Sequence, residues 1–204
     1  MVPVSQATLS LWLRNIALTS EQRRRLAELK LRGARAGVAI LRESKQRRIA
    51  AVRRVALQEA RERLGSGDVN WAVGAVLYWG EGAKTKPWAP SRLVAFTNME
   101  IESLLVFRQW LLRYAGVTLM DIGYDLYIHP DADINRARSH WARVLQIEDC
   151  AIKTYLKRPN PSTRRGRIGN VYYGTMRLRV RRSTMLLHRI EGWIQGIIKY
   201  CGVG

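Results

Sequence analysis

The segment Trp71-Ala72-Val73-Gly74-Ala75-Val76-Leu77-Tyr78-Trp79-Gly80-Glu81-Gly82-Ala83-Lys84 constrains this chain more than any other. It reads as an apolar helical run that stops at a carboxylate held between two glycines. A carboxylate at a helix C-terminus meets the negative end of the macrodipole, which costs up to ~1 kcal/mol. Glu81 therefore calls for a positive neighbour: Lys84, a metal ion, or both. An ordinary buried helix with Gly82 as its C-cap is the other reading of the same residues.

The segment resembles the signature helix of the LAGLIDADG family, whose members are mostly homing endonucleases. In that family two such helices pack at a pseudo-twofold axis, and the acidic residue beside the last glycine binds the catalytic metal. Setting Glu81-Gly82 on the family's final Asp-Gly puts Leu77 on its central leucine and Gly80 on its second small packing residue. The resemblance implies Glu81 as catalytic residue and Mg2+ ligand, and Lys84 as a neighbour that stabilises developing charge. It also implies Val76 and Gly80 at a helix-to-helix dimer interface. Two departures stand out. Glu81 replaces the usual Asp, which keeps the charge on a longer arm. Val76 replaces a preferred Gly, which would hold paired helices further apart.

Charge points to the partner. The chain has 204 residues, a net charge of +19 and 47 % hydrophobic content, enough for a core. That balance favours a polyanion, nucleic acid first and an anionic membrane second. Residues 20–64 carry fourteen Lys/Arg against five acids, and residues 153–190 carry eleven with no acid. Two basic blocks around a nearly neutral scaffold predict two binding surfaces. Cys150 and Cys201 make no disulfide framework, and His129, His140 and His188 lack zinc spacing. No apolar run nears ~18 residues, so no membrane span is expected. These features predict a reduced, cytoplasmic, nucleoid-associated protein with no membrane partner.

Two regions follow from the punctuation. Residues 1–64 read as a basic helical extension and 70–204 as the main domain, divided at Gly65-Ser66-Gly67-Asp68. Within the extension, residues 4–19 predict an amphipathic helix with Ser5 as N-cap and Leu9, Trp12, Leu13 and Ile16 on one face. It resembles the recognition helix of bacterial helix-turn-helix domains. The helices that would brace it do not precede it, so the expectation is a misplaced start or a remnant; a core-packing helix is the alternative. Thr19-Ser20 then cap a long basic helix, expected to break or bend near Gly33 and Gly37 because each glycine costs ~1 kcal/mol against Ala. That helix either lies along phosphates or is a solvated connector.

From residue 70 the expected order is helix, strand, helix, strand, helix, strand, strand, helix. The fold class is α+β, and it resembles a LAGLIDADG domain: an antiparallel sheet saddle with helices on one face. The helix at 133–146 is an insertion relative to the family's minimal core. The strand 170–181 is the strongest binding element. Alternation sends Tyr173, Thr175, Arg177, Arg179 and Arg181 to one face and Tyr172, Gly174, Met176, Leu178 and Val180 to the other. The family lays such a sheet in the major groove, where arginine reads guanine bidentately. Arg92, Lys153, Lys157 and Arg158 extend that surface, while Arg164, Arg165 and Arg167 are expected at phosphates, which position without reading sequence. Asp125 and Tyr127 alternate onto one face.

The resemblance implies a double-stranded DNA-binding homodimer making metal-dependent phosphodiester cuts at a specific site, each subunit supplying one acid. The family also includes transcriptional regulators that keep the scaffold, add a helix-turn-helix and have lost cleavage. RNA-binding maturases are the third reading.

Overall fold

The computed structural model describes residues 4–84, 91, 93–158 and 172–203. They form two compact units, Met1–Arg48 and Ile49–Gly204. The Gly65–Asp68 segment, expected as the boundary, is a turn inside the second unit.

The first unit is helical. α1 (Gln6–Trp12) starts where Ser5 Oγ accepts from the Thr8 N–H at 3.2 Å. It stops at Trp12 rather than running on to residue 19, and it buries none of its residues. α2 (Ser20–Gly65) opens with a reciprocal cap: Thr19 Oγ1 accepts from the Gln22 N–H, and Gln22 Oε1 accepts from the Thr19 N–H. That arrangement satisfies two otherwise orphaned donors. No break interrupts the helix at Gly33 and Gly37. Both glycines point into open space, and strong helix formers on either side carry the helix through.

The second unit holds the core. The remaining elements are α3 (Val69–Glu81), β1 (Ala95–Asn98), α4 (Ile101–Tyr114), β2 (Ile122–Ile128), α5 (Ile134–Leu145), β3 (Ile152–Leu156), β4 (Thr175–Val180) and α6 (Thr184–Tyr200). The strands form one sheet in the order β1-β4-β2-β3. β4 pairs antiparallel with β1 and with β2, but β2 and β3 are parallel. The sheet is therefore mixed, not the antiparallel saddle expected. The physical cause is α5: a helical crossover returns the chain to the starting end of β2, which forces the parallel pairing.

Helices cover one face of the sheet, and aromatic rings join them. Phe107 stacks on Phe96, Tyr78 and Trp110 with centroids 4.5, 5.6 and 5.6 Å apart. Trp193 meets Trp110 and Trp71 edge-on. The C-terminal turns of α2 dock on α6 through small residues. A Cβ added at Gly192 would lie 2.7 Å from the Ala56 Cβ, and one at Gly196 2.4 Å from that of Ala60. Glu59 locks the seam, accepting from Arg189 Nε and Nη2 at 3.0 and 2.8 Å and from Trp193 Nε1 at 2.7 Å. Burial pushes the Glu59 carboxyl up, but these hydrogen bonds outweigh it and hold the group below the usual range.

α3 is anchored at both ends. Asp68 caps it through the Trp71 N–H and also accepts from Tyr114 Oη at 2.9 Å. Gly82 is the C-cap residue but is extended, with φ −69°. Glycine is needed there because an added Cβ would sit 2.5 Å from the Tyr78 ring. Gly74 is tighter still: its Cβ would fall 2.1 Å from Trp110 Cγ and Cδ1. Trp110 cannot swing away, because its Nε1 donates to the Trp71 carbonyl at 2.9 Å. Gly74→Ala sets two effects against each other. Helix propensity favours Ala by ~1 kcal/mol, and overpacking of a closed core costs ~1–3 kcal/mol or more. The ring roots are immobile, so overpacking should win, with a net loss of about 2 kcal/mol. Urea unfolding at unchanged m-value reads it; a midpoint equal to or above wild type would refute the packing argument.

Among the described residues, no helix is long and apolar enough to cross a membrane.

Candidate nucleic-acid interface

β4 builds the site by simple alternation. Met176, Leu178 and Val180 are buried against the helices, while Thr175, Arg177 and Arg179 are half-buried on the opposite face. Strand pairing brings matching residues beside them. β1 sets Thr97 against Arg177. β2 contributes Gly123, Asp125 and Tyr127. β3 contributes Lys153 beside Asp125 and Tyr155 beside Tyr127. Lys153 is exposed, as are Arg181 and Arg158 just beyond the strand ends. The face thus gathers Lys153, Lys157, Arg177, Arg179 and Arg181 with the Asp125 carboxylate among them, and Glu148 stands at its α5 end.

That acid organises the centre. Asp125 is 3 % exposed, and both carboxylate oxygens accept from Arg179 Nε, at 3.0 and 2.8 Å. Gly123 leaves room for the guanidinium, since an added Cβ would lie 3.0 Å from Arg179 Cζ. Arg177 Nη1 donates to Tyr127 Oη at 3.1 Å. Lys157 Nζ donates to Thr175 Oγ1 at 2.9 Å, and partial burial pulls its ammonium below the usual lysine range. Arginines held this way present a fixed fork, which lowers the ordering cost of meeting a ligand.

Tyr173 leaves the ladder. The strand begins at Thr175, and Gly174 before it has φ +75°. This turn sends Tyr173 to α5, where its ring stacks on His140 at 3.6 Å and its carbonyl accepts from Trp141 Nε1. Arg92, Arg164, Arg165 and Arg167 lie outside the described residues. At the α5 end of the face, a cleft of about 930 Å3 opens between Arg143, Lys153, Arg179 and Arg181. Arg143 and Tyr155 were missed from sequence. Arg143 sits in an amphipathic helix pattern, and the face of Tyr155 depends on its register with β2.

α3 ends at the β1 edge of the sheet. Gly82 bridges to Phe96, and the Ala83 N–H donates to the Ala95 carbonyl at 2.8 Å. Glu81 is exposed there. Lys84 does not pair with it: its Nζ donates to the Gly80 carbonyl at 3.3 Å, satisfying the helix end instead. Among the described residues no cation pairs with Glu81, and no group of three or more His, Cys, Asp or Glu gathers as a metal site. Val69, Val73, Val76 and Gly80, spaced four, three and four residues apart, form one exposed stripe along α3. Open space surrounds Gly80.

No family model matches the chain, and no curated protein or solved structure shows significant similarity to it.

Proposed function

We propose that this protein binds double-stranded DNA through the basic face of its sheet, as a homodimer of the LAGLIDADG homing-endonuclease type that makes metal-dependent cuts at a specific site. The observation that carries the reading is the pairing of opposite faces on β4: apolar residues go to the helices, and arginines at every second position go to a broad polar surface. A twisted sheet of this kind suits the major groove, where guanidinium groups reach guanine O6 and N7. The exposed α3 stripe supports pairing of two subunits, which would bring two Glu81 carboxylates together.

Glu81 suits a Mg2+ ion. Its carboxylate is exposed and unpaired among the described residues, and Mg2+ accepts one or two carboxylates with the rest of its shell from water and phosphate oxygens. Bound there, the ion would activate water and stabilise charge on the phosphodiester. Glu81 would hold it, and Lys84 would keep the helix end closed while adding positive potential.

A second reading, a regulator without cleavage, draws on α1. Its Trp12 and the following Leu13 and Ile16 are 61, 53 and 60 % exposed, an apolar set that suits bracing by further helices in a helix-turn-helix.

The experiment is selection from a random duplex library with Mg2+, sequencing both bound and cut products. A recovered motif with breaks inside it is expected. Arg177→Ala is then expected to relax preference at one base pair by ~1–3 kcal/mol, while Lys153→Ala weakens all sequences about equally. Arg179→Ala is a poorer probe, because it strands the buried Asp125 carboxylate and destabilises the sheet. Unchanged selectivity in Arg177→Ala would remove the sheet from the groove.

A further inference from the structure

The β2–β3 half of the polar face differs in chemistry from the β4 ladder. Tyr127 and Tyr155 lie side by side with centroids 5.2 Å apart and planes 18° from parallel. Tyr127 is held from β4 by Arg177 and covers one side of the Tyr155 ring. Tyr155 sits on the outermost strand and is 45 % exposed. Lys153 on the same strand and Lys157 one residue past its end flank it, two residues to either side, and two residues of extended chain advance ~6.6 Å. The edge therefore presents cation, ring, cation in sequence. A hollow of about 380 Å3 lies on the β4 side of Tyr127, lined by Thr97, Tyr127, Lys157, Thr175 and Arg177, so it belongs to the ladder and not to the β3 edge.

A duplex cannot use an aromatic ring in this setting. Paired bases have both π-faces covered by their neighbours and show only their edges in the grooves. Unpaired bases stack on exposed aromatic rings, and alternating cations track the backbone between them. We propose that the β3 edge binds a single-stranded nucleic-acid segment, with a base continuing the Tyr127–Tyr155 stack and the phosphates on either side meeting Lys153 and Lys157. This rests on the nucleic-acid reading of the sheet face but not on cleavage. It adds to that face an element that only unpaired nucleotides can use: the basic residues serve duplex and single strand alike, and the Tyr155 ring serves nucleotides displaced from the duplex or belonging to a single strand.

The test measures affinity for a thymidine 12-mer, a uridine 12-mer, an abasic 12-mer of equal charge and a hairpin duplex by fluorescence anisotropy. Wild type should bind one or both base-bearing single strands more tightly than the abasic strand, and the tighter of the two identifies DNA or RNA as the source. Tyr155→Ala should weaken that strand by ~5- to 150-fold, the loss of one stacked base. Duplex affinity should stay within about twofold, because the ladder on β4 is untouched. Tyr155→Phe should retain single-strand binding, since the ring and not the hydroxyl does the stacking. Equal affinity for abasic and base-bearing strands, or equal losses on duplex and single strand in Tyr155→Ala, would overturn the inference and leave the duplex reading standing. Failure to bind any of the four would overturn the nucleic-acid reading itself.

Discussion

Raising salt from about 50 to about 200 mM is expected to weaken binding to duplex DNA by ~10³–10⁵-fold. The size follows from the number of charges in reach. The chain presents Lys153, Lys157, Arg177, Arg179 and Arg181 on one sheet face, and the proposed homodimer would double that set. Some of these will read bases or stay on their protein partners, Arg179 on Asp125 above all. If six to ten phosphates are still neutralised, the logarithm of affinity falls against the logarithm of salt with a slope of roughly −5 to −9. Titration at four or more salt concentrations measures it. A shallow slope, near −1, would mean that the net charge of +19 is spread over solvated surface and does not converge on a polyanion.

Glu81→Gln is expected to abolish Mg2+-dependent cutting while leaving binding intact or tighter. The amide keeps the shape of the carboxylate and removes the charge that holds the ion. Folding should be unaffected, because Glu81 is exposed and opposes the helix dipole it terminates, so neutralising it relieves a conflict. DNA affinity should not fall, since a negative group near the phosphates is lost. Cutting by the purified variant at the wild-type rate would sink the catalytic assignment. A wild-type protein that binds a defined site and leaves it uncut at every Mg2+ concentration would select the regulator.

The two variants probe different parts of one surface. Arg177 is built into the sheet face and tests recognition. Glu81 stands at the β1 edge, at the end of a helix whose exposed stripe tests assembly. The small cap at that end is also informative. Lys84 serves the Gly80 carbonyl, so among the described residues Glu81 has no cationic partner.

Much of the local structure was legible from residues alone. The limits of β2 at 122–128, the helix expected at 70–80 and found at 69–81, the Ser5 and Thr19 caps and the in–out alternation of residues 175–180 all follow from patterns two to four residues long. Such patterns are set by backbone geometry, so a short window contains the whole cause. Tyr173 shows the limit of the same rule. Alternation assigned it to the ladder, but Gly174 at positive φ ends the strand before it.

What only the tertiary structure decided is every relation between distant segments. β3 runs parallel to β2 because α5 packs as a crossover, and that sets Tyr155 beside Tyr127. Asp125 meets Arg179 across 54 residues of chain. Gly82 reads in sequence as a helix cap, yet its reason, like that of Gly74, Gly192 and Gly196, is a neighbouring ring or methyl group that a Cβ would strike. Charge, caps and period are properties of a window. Register, close approach and the buried partner of a surface arginine come from the packing of the whole core, which no window contains.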